Sequence, residues 1–393
     1  MEKEAIIDLA LNWLAHSDVR HADGASIAQG GVNQGYNWRQ HSYPFIYSEI
    51  TGYAISTLVN AYRWTGDESY VTLARQSADF LLRVQDLADE VVRGAIPHSL
   101  SLPDLQPRHE YWSFDAAMCL QGLLDLNAIR PAPELQRSTQ AVGDWLLEQM
   151  QQNNGAFLSM YDARTKERRH VDGNFFDDDG CLHAKHAIGL LKLGQATGDN
   201  RYTTAAKRVC DWVLGLQDDD GAFRATEQLP QVVSHPHCYA TEGLLFAHYE
   251  LGTERYLEAS RRAGEWLLEA QNRDGSINIE YKRRWWRMGR RITEKLLPRR
   301  ITDATAQAIR IWLILYYLDG DDQLLDACHR AEGFLSRMQC TASPDPNAVG
   351  GFYFWPGHPI LFTWCTMFAT HALYALEHLK RKEGYRHIMT ELF

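Results

Sequence analysis

The chain has 393 residues, 45% of them hydrophobic, and a formal charge of −10. This acidic balance argues against a general nucleic-acid-binding role, which needs a basic footprint over a domain. No apolar run is long enough to span a membrane, and the amino-terminal stretch is acidic and amphipathic, unlike a secretory signal. We therefore expect a soluble, cytoplasmic protein.

Seven cysteines are scattered without a C-x-x-C pair, and several fall within apolar helix patterns, among them Cys119, Cys210 and Cys328. This arrangement is typical of buried free thiols rather than of a disulfide framework or a zinc site. We expect neither a metal nor another cofactor.

The first two predicted helices differ in their apolar pattern. From Glu4 to His16 the apolar residues follow one face, which predicts an outer helix. The segment 43–66 is apolar on nearly all sides, with Tyr47 and Glu49 at its amino end. Such a pattern predicts a helix in the interior of a large fold.

This alternation of outer and inner helices recurs along the chain. Counting back seventeen residues from the glycine that closes an inner helix gives one shared position in each repeat. These positions are Glu49, Cys181, His235 and Asp303, and Asp115 and Trp364 take the equivalent place in two further apolar segments. Further outer helices are predicted up to about residue 84 and near 134–151, 202–217, 256–271 and 323–338.

The later outer helices end in similar turns, as in QDDDGAF from Gln217 and QNRDGSI from Gln271. Asn or Asp before Gly is a turn signal, and the apolar residue after it re-enters the core. Six such hairpins form either an open solenoid, which needs polar capping repeats, or a ring. Because the last inner helix, 362–379, is as apolar as the middle ones, we expect a closed ring in which residues 1–393 form one domain.

The hairpin repeat and the Q-x-x-x-G-x-F turns resemble those of the six-hairpin glycosidase superfamily. These (α/α)6 toroids include unsaturated glucuronyl hydrolases, sugar 2-epimerases and polysaccharide lyases. The resemblance covers nearly the whole chain and implies an all-α toroid with the amino ends of the inner helices around one pocket. Terpene cyclase toroids have similar turns, but the acidic triplet 177–179 departs from their D-x-D-D motif.

Carried onto this chain, the resemblance places Glu49, Asp115, His235 and Asp303 around the pocket mouth, with Trp364 as a wall. Tyr47, at the amino end of the same helix as Glu49, is a further candidate for substrate binding. Glycoside hydrolysis needs one carboxyl as proton donor and a second to activate water or form a covalent intermediate. The three carboxyls are therefore candidate catalytic groups. The alternative is that each only caps its helix, since helix amino ends favour negative charge.

The segment SHPHCYATEG precedes and opens the fourth inner helix. Its His237 and Tyr239 are candidate proton-transfer groups for a lyase or an epimerase, with His235 as a substrate-binding neighbour. An H-x-H pair without a third ligand at diagnostic spacing does not predict a metal site. A structural role in the helix-entry turn is the alternative.

The segment NFFDDDGCLHAKH opens the third inner helix. Here Asp178, Asp179 and His183 are candidates for binding sugar hydroxyls. The alternative for the acidic run is a solvated turn in which one residue caps the helix.

Two aromatic stretches are further candidates for substrate binding. The basic stretch 281–300 contains Trp285, Trp286 and Arg287, a composition that suits steering of an anionic substrate, or contact with an anionic membrane surface through 282–300. Tyr353 and Trp355 precede the last inner helix and are suited to stacking on a sugar ring. A solvated loop and simple packing are the respective alternatives.

These patterns together favour a glycoside hydrolase that acts on an anionic or uronate-containing glycan. One alternative is a lyase or epimerase that abstracts a proton through His237 or Tyr239, with an arginine neutralising the substrate carboxylate. Another is a non-catalytic glycan-binding protein of polysaccharide assembly. The patterns indicate no particular oligomeric state.

Overall fold

The computed structural model describes residues 3–24, 26–169, 180–229, 231–281, 299–379 and 385–393. Within these ranges the helices that are buried on nearly all sides form an inner layer, and those with one buried face form an outer layer. The inner helices are α2 (Ser48–Thr65), α4 (Ser113–Ile129), α6 (His186–Thr197), α8 (Ser234–Leu251), α10 (Thr302–Asp319) and α12 (Thr363–Glu377). The outer helices are α1 (Lys3–His16), α3 (Glu68–Val84), α5 (Pro133–Trp145), α7 (Asn200–Leu214), α9 (Glu254–Ala270) and α11 (Asp322–Leu335).

Two helices have irregular ends. A π-helical turn, Leu146–Met150, continues α5, and a 3₁₀ turn, Cys181–Lys185, leads into α6. A short last helix, α13 (Tyr385–Glu391), follows the inner helix α12. None of the described helices combines the length and the apolar character that crossing a membrane requires.

The inner helices form a closed ring. Each packs against the next in chain order, and α12 packs back against α2. The amino-terminal helix α1 packs against α12, so the first outer helix completes the last hairpin. The expected all-α (α/α)6 toroid and its closure are therefore confirmed.

The glutamine turns hold the outer layer together. The Gln271 side chain donates to the carbonyl oxygen of Gly275 in its own turn, at 3.1 Å, and to that of Ala327 in the next outer helix, at 2.9 Å. Gln339 makes the same pair of bonds, and its distant acceptor is Ile6 in α1, at 2.8 Å. Gln151 and Gln217 repeat the arrangement. The repeated motif therefore links α5 to α7, α7 to α9 and α9 to α11, and it also links α11 back to α1.

Short antiparallel strands gather at the amino ends of the inner helices. Four of the pairings join loops of different hairpins, and two, β5 with β6 and β8 with β10, lie within one loop, so the loops form a collar above the ring. The pairs are β1 (Gly35–Asn37) with β11 (Ile360–Phe362), β2 (Phe45–Tyr47) with β3 (Ser99–Ser101), β4 (Glu110–Trp112) with β5 (Met160–Asp162), β5 with β6 (Glu167–Arg169), β7 (Val232–Val233) with β9 (Glu280–Tyr281), and β8 (Ile277–Asn278) with β10 (Arg300–Ile301).

The last described segment, 385–393, enters the ring from the opposite end. Buried side chains of the inner layer bind its main chain: Asn60 donates to Glu391 O at 2.9 Å, Gln121 to Leu392 O at 2.7 Å and Lys185 to Phe393 O at 2.6 Å. The Phe393 ring lies 5.9 Å from that of Tyr53, which is one helical turn after Glu49. The carboxy-terminal residues therefore fill the axis of the ring to just below the amino ends of the inner helices.

Candidate functional site

A cavity of about 420 Å³ opens at the amino ends of the inner helices. Five of the six shared-register positions line it, and at the sixth the lining residue is Leu182, next to Cys181. The five are Glu49, Asp115, His235, Asp303 and Trp364. The shared register thus brings together side chains that are hundreds of residues apart in sequence.

The first polar cluster joins α2, α4 and the collar. Tyr47 donates its hydroxyl to Asp115 Oδ1 at 3.3 Å, and His98 Nδ1 lies 2.7 Å from Asp115 Oδ2. Glu49 is 9% exposed and Asp115 is 4% exposed. Two carboxyls therefore share a nearly water-free corner of the cavity.

The two carboxyls of this cluster have different surroundings. Burial raises the pKa of Glu49 to about 8, the charge of Asp115 adds to the rise, and Tyr47 and Lys185 oppose it. Burial also raises the pKa of Asp115, but the charge and hydrogen bond of His98 lower it, as does the bond from Tyr47. Desolvation thus outweighs the pull of the helix amino end on Glu49. Burial and mutual repulsion therefore favour one proton shared by this pair near neutral pH, with the larger upward shift of the pKa at Glu49.

The second polar cluster joins α8, α10 and α12. Trp364 Nε1 donates to Asp303 Oδ2 at 3.1 Å, and the Ala304 N–H donates to Asp303 Oδ1 at 2.7 Å. His235 Nδ1 lies 2.6 Å from Gln307 Oε1 and 3.6 Å from Asp303 Oδ2. Burial lowers the pKa of His235 against the raising effect of Asp303, so the imidazole is neutral at pH 7.

The remaining walls are mainly apolar. Phe362 and Trp364 stack with ring centroids 4.1 Å apart. Further aromatic and aliphatic side chains complete the surface, including Phe45, Trp112, Phe114, Phe354, Ile50, Val233, Ile279 and Ile301. Among the residues that the structure describes, neither Lys nor Arg lines the cavity. Such walls suit the apolar faces of sugar rings, with the carboxyls and imidazole placed to reach hydroxyl groups.

Tyr239 lines the cavity wall below His235. Its ring centroid lies 4.2 Å from that of His235, and its hydroxyl accepts a 3.0 Å hydrogen bond from Tyr53. Burial raises the pKa of Tyr239 well above its ordinary value, and Tyr53 and Glu49 raise it further. The phenol is therefore held protonated, which disfavours the proton-abstracting role proposed from the sequence.

The structure places His237 and His183 away from the cavity. Two residues along a helix turn the side chain by about 200°, so His237 faces outward while His235 faces the axis. Its Nδ1 accepts from the Phe223 N–H at 3.1 Å, and its Nε2 donates to Ala263 O at 3.2 Å. His183 is buried with its ring centroid 4.8 Å from that of His186. Both histidines were expected in the pocket, and the structure shows that neither of them lines it.

Tyr353 and Trp355 also lie outside the cavity lining, and Phe354 between them lines it instead. Neighbouring side chains of an extended segment point to opposite sides. Tyr353 packs edge-on to Trp38, with centroids 6.3 Å apart, and Trp355 packs against His358 at 4.2 Å. In this run it is therefore the ring of Phe354, and not that of Tyr353 or Trp355, that lines the cavity.

Several predicted residues lie outside the described residues. These are Asp178 and Asp179 before α6, and Trp285, Trp286 and Arg287 in the basic stretch. In sequence, the basic stretch lies between β9 and β10, and the neighbouring residues Ile279 and Ile301 line the cavity.

Three polar residues of the site were not predicted from the sequence: Gln34 and His98 line the cavity, and Gln307 binds the lining residue His235. His98 lies in the collar, where no helical periodicity marks it, and it reaches Asp115 because β3 pairs with β2. Gln307 lies one helical turn after Asp303 and faces the same axis. The four-residue spacing on an inner helix would have indicated Gln307, whereas His98 required the strand pairing.

The sequence matches no protein-family model and no curated protein. The structure is similar to that of a cellobiose 2-epimerase from Bacillus thermoamylovorans B4167, with a TM-score of 0.75 at 12% identity over 95% of this chain and 99% of that one. It is similar to an unsaturated glucuronyl hydrolase from Bacillus sp. GL1, with a TM-score of 0.69 at 16% identity over 96% and 97%. A D-mannose isomerase gives a TM-score of 0.72 at 13% identity over 95% and 96%. The chain therefore has the six-hairpin (α/α)6 toroid fold that these proteins share, as its helical repeat predicted.

Proposed function

We propose that this protein is a carbohydrate-active enzyme, and specifically a glycoside hydrolase in which Glu49 is the proton donor. The observation that carries the proposal is the pair of buried carboxyls at the amino ends of α2 and α4, where burial and the charge of Asp115 raise the pKa of Glu49 to about 8. A general acid works best when its pKa lies close to the working pH. The similarity to carbohydrate-active toroids supports the substrate class.

The proposed reaction uses the two carboxyls in different charge states. Glu49 gives its proton to the glycosidic oxygen as the C–O bond breaks. Asp115, whose negative charge is supported by His98 and Tyr47, takes a proton from the attacking water or attacks the anomeric carbon itself. Hydrolysis adds one water across the broken bond in either case.

The charge of the cavity bears on the substrate. The described lining includes the carboxyls of Asp115 and Asp303 beside the proton donor Glu49 and contains no Lys or Arg, so a substrate carboxylate would meet like charge there. We infer that the sugar unit inside the cavity is uncharged or carries an amine. An anionic or uronate unit, as the basic stretch 281–300 suggests, then belongs to a part of the glycan outside the cavity.

A second candidate is a sugar epimerase or isomerase. It is favoured by His235, which is neutral, lines the cavity and has no hydrogen-bond partner at Nε2 among the described residues. Such a base takes the proton from the carbon next to the carbonyl of an open-chain sugar, and a proton returned to that carbon gives the epimer. His235 replaces His237 and Tyr239 as the candidate base.

Mass spectrometry of products tests these alternatives. The protein is incubated with neutral, amino and uronate-containing oligosaccharides in H₂¹⁸O and, separately, in D₂O. A hydrolase gives shortened glycans with ¹⁸O at the new reducing end. Deuterium in an otherwise intact sugar supports the second candidate, and an unsaturated uronate absorbing in the ultraviolet indicates a lyase. Binding without any product contradicts enzymatic function.

A further inference from the structure

Three charged side chains lie fully buried just below the cavity. Lys185, Glu242 and Arg310 are each 0% exposed and come from three different inner segments. Lys185 Nζ lies 2.6 Å from Glu242 Oε2, and Arg310 Nη2 binds Glu242 Oε1. Burying such a cluster costs desolvation free energy that packed apolar residues would not. We call these three residues the floor cluster.

Glu242 is ionised within the floor cluster. Burial alone raises its pKa, but Arg310 and Lys185 together hold the pKa below its ordinary value. An ionised carboxylate only accepts hydrogen bonds. Any neutral group that binds Glu242 must therefore present a donor to it.

Gln307 connects the floor cluster to the cavity. Its amide nitrogen donates to Glu242 Oε2 at 3.3 Å, and its amide oxygen lies 2.6 Å from His235 Nδ1. An amide has donors on one side and an acceptor on the other. Because the NH₂ group faces the carboxylate, the oxygen faces His235, and the imidazole must bring a proton on Nδ1.

Asp303 also favours a proton on Nδ1 of His235. Its Oδ2 lies 3.6 Å from His235 Nδ1, and both of its oxygens already accept hydrogen bonds, from Trp364 and from the Ala304 N–H. The acceptors around Nδ1 are thus an amide oxygen and a carboxylate. A proton on Nδ1 satisfies them, whereas a lone pair there would face two acceptors.

We propose that the floor cluster, acting through Gln307, holds His235 in the Nδ1–H tautomer and so presents an unprotonated Nε2 to the cavity. Gln307 and Glu242 are then positioning residues, and His235 is the group that meets the substrate. The role of Nε2 as a base rests on the second candidate function. The Nδ1–H tautomer does not depend on that function, because it exists without any substrate. It also explains why charges are retained where apolar residues would pack.

A purely structural floor cluster is the competing explanation. The cluster joins α8, α10 and the 3₁₀ turn before α6, and Lys185 also binds Phe393 O, so it contributes to closing the ring. In that case the tautomer of His235 is independent of Gln307. The two explanations therefore differ in a property of the imidazole itself.

Nitrogen-15 NMR of the full chain labelled at histidine distinguishes them, because protonated and unprotonated ring nitrogens have well-separated shifts. The chain has 16 histidines, and the signals lost in His235→Gln assign the relevant ring. The test variant is Gln307→Leu, which leaves the Lys185–Glu242–Arg310 contacts in place. The matched control is Gln121→Leu, which removes an equally buried inner-helix amide that binds Leu392 O.

We expect a single Nδ1–H tautomer in the wild type and in Gln121→Leu, and a mixture of both tautomers in Gln307→Leu. With an epimerisable sugar, Gln307→Leu should lower kcat at least tenfold while KM changes by less than about threefold. A wild-type His235 protonated at Nε2 overturns the proposal without any variant. An unchanged tautomer in folded Gln307→Leu also overturns it. If the tautomer behaves as expected but no sugar is turned over, the proposed function fails and the positioning stands.

Discussion

His98 Nδ1 lies 2.7 Å from Asp115 Oδ2, although His98 lies just before the collar strand β3 and Asp115 lies in the inner helix α4. The side chain of His98 is 17% exposed and that of Asp115 is 5% exposed. It supplies the main opposition to the burial that raises the pKa of Asp115. The charge state of the second carboxyl therefore depends on a residue outside the helical ring.

Replacing His98 tests this dependence. In His98→Gln the imidazole charge is lost while a hydrogen-bond donor remains, so the pKa of Asp115 should rise. The acidic limb of the kcat/KM profile should then move up by about one pH unit, the scale of one opposite charge at this distance. His109→Gln, in the same loop, is the control. An acidic limb at the same pH in wild type and His98→Gln would show that Asp115 does not govern it.

Trp364 combines a ring surface with a hydrogen bond to Asp303. Trp364→Phe keeps most of the ring surface and should weaken sugar binding only a few-fold. Trp364→Ala should weaken it by about tenfold or more, because both the stacking surface and the bond are lost. Calorimetric titration of the best oligosaccharide substrate measures the effect, with the outer-helix change Trp212→Ala as control. Equal affinities in wild type and Trp364→Ala would remove Trp364 from the sugar-binding wall.

The glutamine turns require glycine for a steric reason as well as for backbone conformation. Gly275 has φ +91°, and a Cβ there would lie 1.8 Å from the carbonyl oxygen of Arg330. Gly320 has φ +71° with open space around it. Gly275→Ala should therefore lower the free energy of unfolding by about 3 kcal/mol or more, and Gly320→Ala by about 1 kcal/mol. Denaturant titration compares them, and equal losses would show that the close approach is not retained in solution.

The repeat explains how much of the fold was predictable. The distance from four closing glycines back to the helix start, together with the apolar pattern of two further segments, predicted which six residues share the amino-end layer. Five of those six side chains line one cavity. Periodicity also made Gln307 accessible to prediction, because it lies one turn below Asp303 on an inner face. The turn motif indicated where outer helices end, but its hydrogen bonds to the next hairpin became visible only in three dimensions.

The unpredicted features depend on contacts between loops and on side-chain direction. His98 meets Asp115 only because β2 and β3 pair, and short strands of three residues leave little periodic signal. The sequence predicts both His235 and His237 at the pocket. Residues two apart on a helix point in nearly opposite directions, so only His235 lines the cavity. In an extended segment neighbouring side chains point to opposite sides. Phe354 therefore lines the cavity, whereas Tyr353 and Trp355 do not.

The raised pKa of Glu49 has a consequence for stability. In the unfolded chain this carboxyl titrates near its ordinary value of 4.5, and in the native state near 8. Between these values the native state binds more protons, so its stability falls as pH rises, by up to about 1.4 kcal/mol per pH unit. The Glu49→Gln variant has no carboxyl to ionise at this position and does not lose this stability as pH rises. The Tm of Glu49→Gln minus the Tm of wild type should therefore increase from pH 5 to pH 8 and then stay constant. A Tm difference that is the same at every pH would mean that Glu49 is ionised in the native state throughout.

Turnover of two substrates by Glu49→Gln tests most directly whether Glu49 is the proton donor. An alkyl glycoside needs a proton on its leaving oxygen, whereas a nitrophenyl glycoside with the same sugar does not. Glu49→Gln should lower kcat for the alkyl glycoside by about a hundredfold or more, the usual contribution of general acid catalysis. The loss for the nitrophenyl glycoside should be much smaller, and binding should persist. Glu250→Gln, at the opposite end of α8, should leave both rates unchanged. Unchanged turnover of the alkyl glycoside, or equal losses for both substrates, would contradict the assignment of Glu49 as the acid.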